Sequence, residues 1–196
     1  MRKFIAILIL VCLGIFLFVI FDSKMSDGNL DDTLLSSSDR LLKDLKDDYE
    51  GTIEKITEIK KSPEQVIQLN NIIMQKLYSH EITEDDIELL LKVQRKLYNS
   101  MLLDNNPIEA HLIKAKEEIK AYKKNNTKII GSDIQKDDSR STENKSIIKV
   151  VFHLNIVGPN GEVYEEYILV KNEGLWEILG WQKTDEFIIV GEKDER

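Results

Sequence analysis

Glu165 and Glu166 are the two side chains in this sequence best placed for acid–base work. They are adjacent in Val163 to Val170, a segment of strand-like alternation. Neighbouring strand residues point to opposite faces of a sheet, so one of the two enters any pocket the sheet helps to enclose. An apolar pocket raises the pKa of such a carboxyl and turns it into a general base, the chemistry of an isomerase or hydratase. No His or Tyr partner is set beside either Glu by spacing, so the pair stands as the candidate site without an assembled catalytic set.

The other chemistry-bearing residues are sparse. The three histidines are His80, His111 and His153. His80 follows a helix end, where imidazolium favours the terminal carbonyls. His111 lies near the start of a later helix, and His153 on the less apolar face of a strand. No pair has H-x-x-x-H spacing, and none follows a Glu in the zincin manner. The acidic clusters Asp47-Asp48, Glu84-Asp85-Asp86, Glu117-Glu118 and Asp137-Asp138 are accounted for by solvation. Residues 133–143 lack the alternating oxygen ligands, turn Gly and closing Glu of a calcium loop. No Gly-rich phosphate loop, G-x-S-x-G elbow or cysteine nucleophile occurs. The reading at this level contains no metal and no cofactor. Trp176 and Trp181 are five apart on a strand, a spacing that sends them to opposite faces, one into the core and one to a contact surface or the helix–sheet seam.

The elements that must position these residues are legible from periodicity and capping. From Ser38, Leu41, Leu42 and Leu45 mark an amphipathic helix to about Asp48, which Gly51 interrupts before Ile53, Ile56 and Ile59. Ser62-Pro63-Glu64-Gln65 combines a capping Ser, a Pro at the first helical position and a Gln at the third. Its apolar stripe is Val66, Ile67, Ile73, Met74 and Leu77. Thr83-Glu84-Asp85-Asp86 opens a second helix with acids at the positive end of the dipole. Its stripe, Ile87, Leu90, Leu91, Gln94, Leu97 and Tyr98, continues to Met101 and Leu102. Asn106-Pro107-Ile108-Glu109 opens a third, carrying Leu112, Ile113, Ala115, Ile119 and Tyr122. Beyond Asn125 the period becomes two. Lys128 to Ile134 reads as a first strand, followed by a polar loop to Ser146. In Ile147 to Val157, the residues Ile148, Val150, Phe152, Leu154 and Ile156 share a face. The turns Pro159-Asn160-Gly161 and Lys171-Asn172-Glu173-Gly174 join this strand to Val163–Val170 and Leu175–Trp181 as an antiparallel meander. Phe187 to Val190 reads as an edge strand or a packed tail. Helices first and a meander afterwards give an α+β fold, with three helices packed on a curved antiparallel sheet, a nuclear-transport-factor-2-like or cystatin-like cone.

The N-terminus is of another kind. Phe4 to Phe21 is 18 residues without a charged or hydrogen-bonding polar side chain. As a helix it reaches roughly 27 Å, close to the hydrocarbon thickness of a bilayer. It ends without the small residues of a cleavage site, so it reads as a retained transmembrane helix with the lipid bilayer as partner. Arg2 and Lys3 on one side, and Asp22, Asp27, Asp31 and Asp32 on the other, place the tail in the cytoplasm and the rest outside. Cys12 lies inside the run behind Val11, not behind the small residue a lipoprotein needs. The expected organisation is a tail and transmembrane helix over 1–21, a flexible stalk over 22–37 and an extracytoplasmic domain over 38–196.

Composition bounds the partners. The 196 residues carry a formal charge of −8, are 42% apolar and contain one Cys. The first 21 residues hold two cations and no anion, so the remaining 175 stand at −10, with 25 Lys and Arg against 35 Asp and Glu. Such a body is repelled by nucleic acid. A single Cys also excludes an internal disulfide.

A resemblance follows from particular stretches: Leu41-Leu42-Lys43-Asp44-Leu45, Ser62-Pro63-Glu64-Gln65-Val66, Leu77-Tyr78, Thr83 to Ile87, Leu102 to Pro107, Tyr164 to Leu169, and Gly174 to Trp181. On these the chain resembles an uncharacterised family of single-span membrane proteins of Gram-positive bacteria with an extracytoplasmic nuclear-transport-factor-2-like domain. Residues 46–61 depart from it, being more charged and helical than the family's short Pro-containing link. The resemblance implies topology and fold and no activity. The function expected from all this is a membrane-anchored, non-catalytic binding module for a protein, peptide or small ligand. The alternatives are a cone-fold enzyme using Glu165 or Glu166, and a structural envelope protein that forms a homodimer.

Overall fold

The computed structural model describes residues 34–156 and 161–189. Leu34 is buried in the core, and Ser37 caps the first helix, α1 (Ser38–Asp47), accepting from the Arg40 amide. The break that follows is made by Asp48 rather than by Gly51. Asp48 leaves the helical region at φ −149°, ψ 84°, and its carboxylate accepts from the Gly51 amide at 3.0 Å to start α2 (Tyr49–Ile59). Gly51 leaves room for this cap, because a Cβ there would meet the Asp48 carboxylate at 2.2 Å and displace it.

Ser62 caps α3 (Pro63–Leu77) and Thr83 caps α4 (Glu84–Arg95), as their sequences predict. The second expected helix does not run on to Met101 and Leu102. Its backbone leaves the helix to pair with the last strand: Ile178 donates to the Leu97 carbonyl at 2.8 Å and Asn99 to the Ile178 carbonyl at 2.9 Å. Asn99 then caps a one-turn helix, α5 (Ser100–Asp104), through the Met101 amide. Asn106 caps nothing in α6 (Ile108–Lys124), whose cap position is Pro107 without a side-chain bond. Its amide closes α5 instead, donating to the Leu102 carbonyl at 2.9 Å.

Four strands follow: β1 (Lys128–Lys136), β2 (Lys145–Asn155), β3 (Gly161–Asn172) and β4 (Leu175–Lys183). They form one antiparallel sheet in the order β1-β2-β3-β4. The β2–β3 turn lies largely outside the described residues, whereas Glu173 and Gly174 turn β3 into β4 at positive φ. Ile148, Val150, Phe152 and Leu154 are buried on the helix-facing side of β2, as alternation predicts. The helices cover this face and build one core with it. Lys60 and the Leu97–Asn99 backbone cap the exposed edge of β4, the kind of edge that otherwise invites pairing with another chain. The Phe187 segment is a tail, not a strand, and packs edge-on against Tyr164 with centroids 5.2 Å apart.

Two expectations need correction here. The fold is α+β, but the sheet is an open four-stranded meander with β1 and β4 at opposite edges, not a cone. Six helices lie among the described residues rather than the three expected to pack on the sheet: beside the helix read from Ser38, the stretch before Ser62 forms α2, and the tertiary pairing at Leu97–Asn99 cuts off α5. The membrane topology is corrected as well. Among the described residues no helix is long and apolar enough to cross a membrane. The longest, α6, has 17 residues and is studded with Lys and Glu. The expected span Phe4–Phe21, with Cys12, lies outside the described residues. The single-pass topology, the extracytoplasmic placement and the bilayer as partner are therefore withdrawn.

Candidate functional site

Between α6 and the sheet lies a chamber of about 560 Å³. Its origin is the composition of α6. That helix buries only Ala115 and Ile119, so it stands off the sheet instead of closing on it. Phe152 and Leu154 of β2, Val163 and Glu165 of β3, and Trp181 and Lys183 of β4 line the sheet side. His111, Glu118 and Tyr122 line the α6 side, with Tyr78, Gln94 and Tyr98 between. Asn105, Asn106 and Pro107 also border it.

Adjacent placement on β3 separates the two candidate glutamates as expected. Glu165 enters the chamber. Glu166 points to the other face, where it is buried beneath Arg140 of the β1–β2 loop in a two-point ion pair. That loop is itself held by Asp137, which Ser139 and Arg140 keep at about 2, well below the usual carboxylate range. Glu166 is thus occupied, while burial pushes the Glu165 carboxyl up, against the pull of the Tyr167 hydroxyl and Lys183.

Glu165 is held from behind by a one-way relay that spacing did not reveal. Gln94 Nε2 donates to Asn70 Oδ1 at 3.0 Å, Asn70 Nδ2 to the Tyr167 hydroxyl at 3.4 Å, and that hydroxyl to Glu165 Oε2 at 2.8 Å. Gln94, Asn70 and Tyr167 are all buried. The signal was present in the sequence: Asn70 and Gln94 are polar residues lying on the apolar stripes of α3 and α4. A second carboxylate is fixed likewise. The Tyr78 hydroxyl donates to Glu118 at 2.8 Å, and its ring packs on Tyr122 with centroids 4.5 Å apart. Burial, reinforced by these carboxylates, holds the Tyr78 and Tyr167 hydroxyls protonated well beyond neutral pH.

The tryptophans do not face opposite ways. Leu169 pairs with Ile178 and Ile168 with Gly180, so Leu179 is an extra residue, a β-bulge, in β4. The bulge offsets the odd spacing and puts Trp176 and Trp181 on the same face. Trp176 is in the core at 7% exposure, while Trp181, 44% exposed, stacks over Tyr167 at 6.0 Å and meets Tyr98 at 5.8 Å. Tyr98 in turn stacks on His111 at 6.1 Å.

The histidines divide between these surroundings. Burial and the nearby Arg95 lower the pKa of His111, leaving the ring neutral at pH 7, and its Nδ1 is buried without a partner. His80 contacts the Thr127 carbonyl at 3.2 Å and not the end of its helix. His153 lies on the opposite face of the sheet, 2.5 Å from Asp133 and 3.5 Å from Glu162. Among the described residues no group of three or more His, Cys, Asp or Glu is arranged to hold a metal ion.

Fold and chamber together define an α+β protein with an open antiparallel meander and an aromatic, carboxylate-bearing cleft beneath its last helix. Residues 1–181 match the family described as Domain of unknown function (DUF6715), and the chain belongs to that family. No curated protein and no solved structure matches it. The family match replaces the resemblance to single-span proteins with a nuclear-transport-factor-2-like domain. With the family go the roles built on it. The membrane-anchored binding module and the envelope protein are not carried further, since no helix among the described residues is long and apolar enough to cross a membrane, and the cone-fold isomerase or hydratase loses its cone.

Proposed function

We propose that the chamber is a binding site for a small, largely apolar molecule carrying one polar group. The observation that carries this reading is a cavity of about 560 Å³ with a half-buried carboxylate, Glu165, fixed in its wall by a buried tyrosine. Small-molecule sites commonly enclose roughly 300–1,000 Å³ and combine apolar and aromatic walls with a few oriented polar groups. Phe152, Leu154, Tyr98 and Trp181 supply the apolar wall, and Glu165 and Glu118 supply the oriented groups. Such walls reward burial of an apolar body by roughly 25 cal/mol per Å², and the pinned carboxylates set its orientation.

Ligand-observed NMR on the full chain with benzyl alcohol and indole tests the reading. Both should bind, and Ala110→Trp, which places an indole in the chamber wall, should abolish binding while leaving the fold intact by circular dichroism. Failure of both probes to bind at millimolar concentration, or binding that ignores Ala110→Trp, refutes it.

A further inference from the structure

The chamber's two carboxylates are fixed and its two ammonium groups are not. Glu165 and Glu118 each accept a hydrogen bond of 2.8 Å from a buried tyrosine hydroxyl, which locks one oxygen of each. Lys114 and Lys183 also border the chamber; their side chains are exposed, as is Glu118, so Glu165 is the carboxylate that is partly desolvated. Lys183 lies directly across the strands from Glu165, yet Glu165 forms no ion pair among the described residues; its hydrogen bond is the one from Tyr167. The faces beside these carboxylates are aromatic: Tyr98 and Trp181 border Glu165, and Tyr122 packs beside Tyr78 near Glu118. An aromatic face attracts a cation through its quadrupole, and a desolvated carboxylate attracts it by charge.

We infer that the chamber selects a small organic cation, an amine or quaternary ammonium on an apolar body, with Glu165 and Glu118 as its counter-ions and Tyr98 and Trp181 as its aromatic wall. The inference rests on the chamber being a ligand site and adds the charge of the ligand. A neutral molecule of the same shape fills the walls but leaves Glu165 partly desolvated without a counter-charge. An anion meets both carboxylates and gains only the lysines at the surface.

The test compares three probes of one shape on the full chain by isothermal titration: benzyltrimethylammonium, benzyl alcohol and phenylacetate. The expected order is the cation tighter than the alcohol by about tenfold, with phenylacetate weakest. Glu165→Gln should remove most of that preference, read as the ratio of cation to alcohol affinity. Glu118→Gln, on an exposed helix, makes the same measurement should Glu165→Gln fail to fold. Lys183→Ala should tighten the cation further, because it removes a competing charge. Equal binding of cation and alcohol, or a cation preference untouched by both glutamine variants, overturns the inference and leaves the chamber reading standing. Tighter binding of phenylacetate overturns it in favour of capture by Lys114 and Lys183. Absence of binding by all three overturns both.

Discussion

Removing one oxygen atom at Tyr167 isolates the contribution of the relay behind Glu165. Tyr167→Phe keeps the ring that stacks on Trp181 and deletes a hydroxyl that both donates to Glu165 and accepts from Asn70. A hydrogen bond to a charged acceptor is worth roughly 1.5–3 kcal/mol net, and a buried amide left without a partner costs about 1–3 kcal/mol. The Asn70 bond is long at 3.4 Å, so its share lies at the low end. The loss at pH 8, with Glu165 ionised, is therefore expected near 2.5–4 kcal/mol, or about 5–16 °C in Tm for a chain of this size. At pH 4, with Glu165 protonated, the acceptor is neutral and worth about 1 kcal/mol, so with the Asn70 share unchanged the loss should shrink to about 2 kcal/mol. Urea unfolding of wild type, Tyr167→Phe, Glu165→Gln and the double variant at both pH values supplies the cycle. A loss below about 0.5 kcal/mol at pH 8, or a loss independent of pH, refutes the claim that the hydroxyl serves the carboxylate.

Three further outcomes follow from the same geometry. Glu165 has its folded pKa raised by burial, so its contribution to stability is present below the unfolded value and is lost as pH rises through the folded one; Glu165→Gln should therefore stabilise the protein at pH 8 and have little effect at pH 4, by thermal melts. His111 has its folded pKa lowered by burial and Arg95, with Lys114 pushing the same way and Glu118 opposing, so the stability tied to its neutral form is complete above about 6.5 and lost as pH falls. His111→Phe also removes the unpartnered Nδ1, so it should gain roughly 1 kcal/mol at pH 8 and more at pH 5, read from urea midpoints. Gly51→Ala should forfeit the gain of about 1 kcal/mol expected for alanine within a helix, because the new Cβ displaces the Asp48 cap, itself worth about 1 kcal/mol; a full gain would show that the cap contributes nothing.

Which parts were readable depended on the range of the interaction that decides them. Ser62 and Thr83 act on amides three residues away, and β2 alternates against a helical layer along its whole length, so caps and strand faces could be read from the chain alone. Leu97–Asn99 could not, because the end of α4 is decided by the Ile178 backbone some 80 residues later. Asp48 is an exception: its carboxylate caps α2 from three residues away, yet Gly51 beside it reads as the break. At the site, opposite facing of Glu165 and Glu166 followed from the pleat. That Glu166 is neutralised by Arg140 did not, since it depends on how a polar loop folds back. The tryptophan pair was misread for a single reason: alternation counts residues, and a bulge adds one that pairs with nothing.

A similar irregularity in β1, between Ile129 and Gly131, gives the two bulges a joint consequence. On β4 the irregularity separates Trp176 and Ile178, which pack into the core, from Trp181 and Lys183, which line the chamber; on β1 it separates the partly buried Ser132 and Ile134 from Ile129, which belongs to both core and chamber wall. Inside-outside parity is therefore reset midway along β4 and near the start of β1, and β4 behaves as two half-strands governed separately. Mutations at Trp181 and Lys183 thus recut one wall of the cleft without touching Trp176 and Ile178 in the core, so the cleft inherits its shape from the backbone while its taste for ligands drifts.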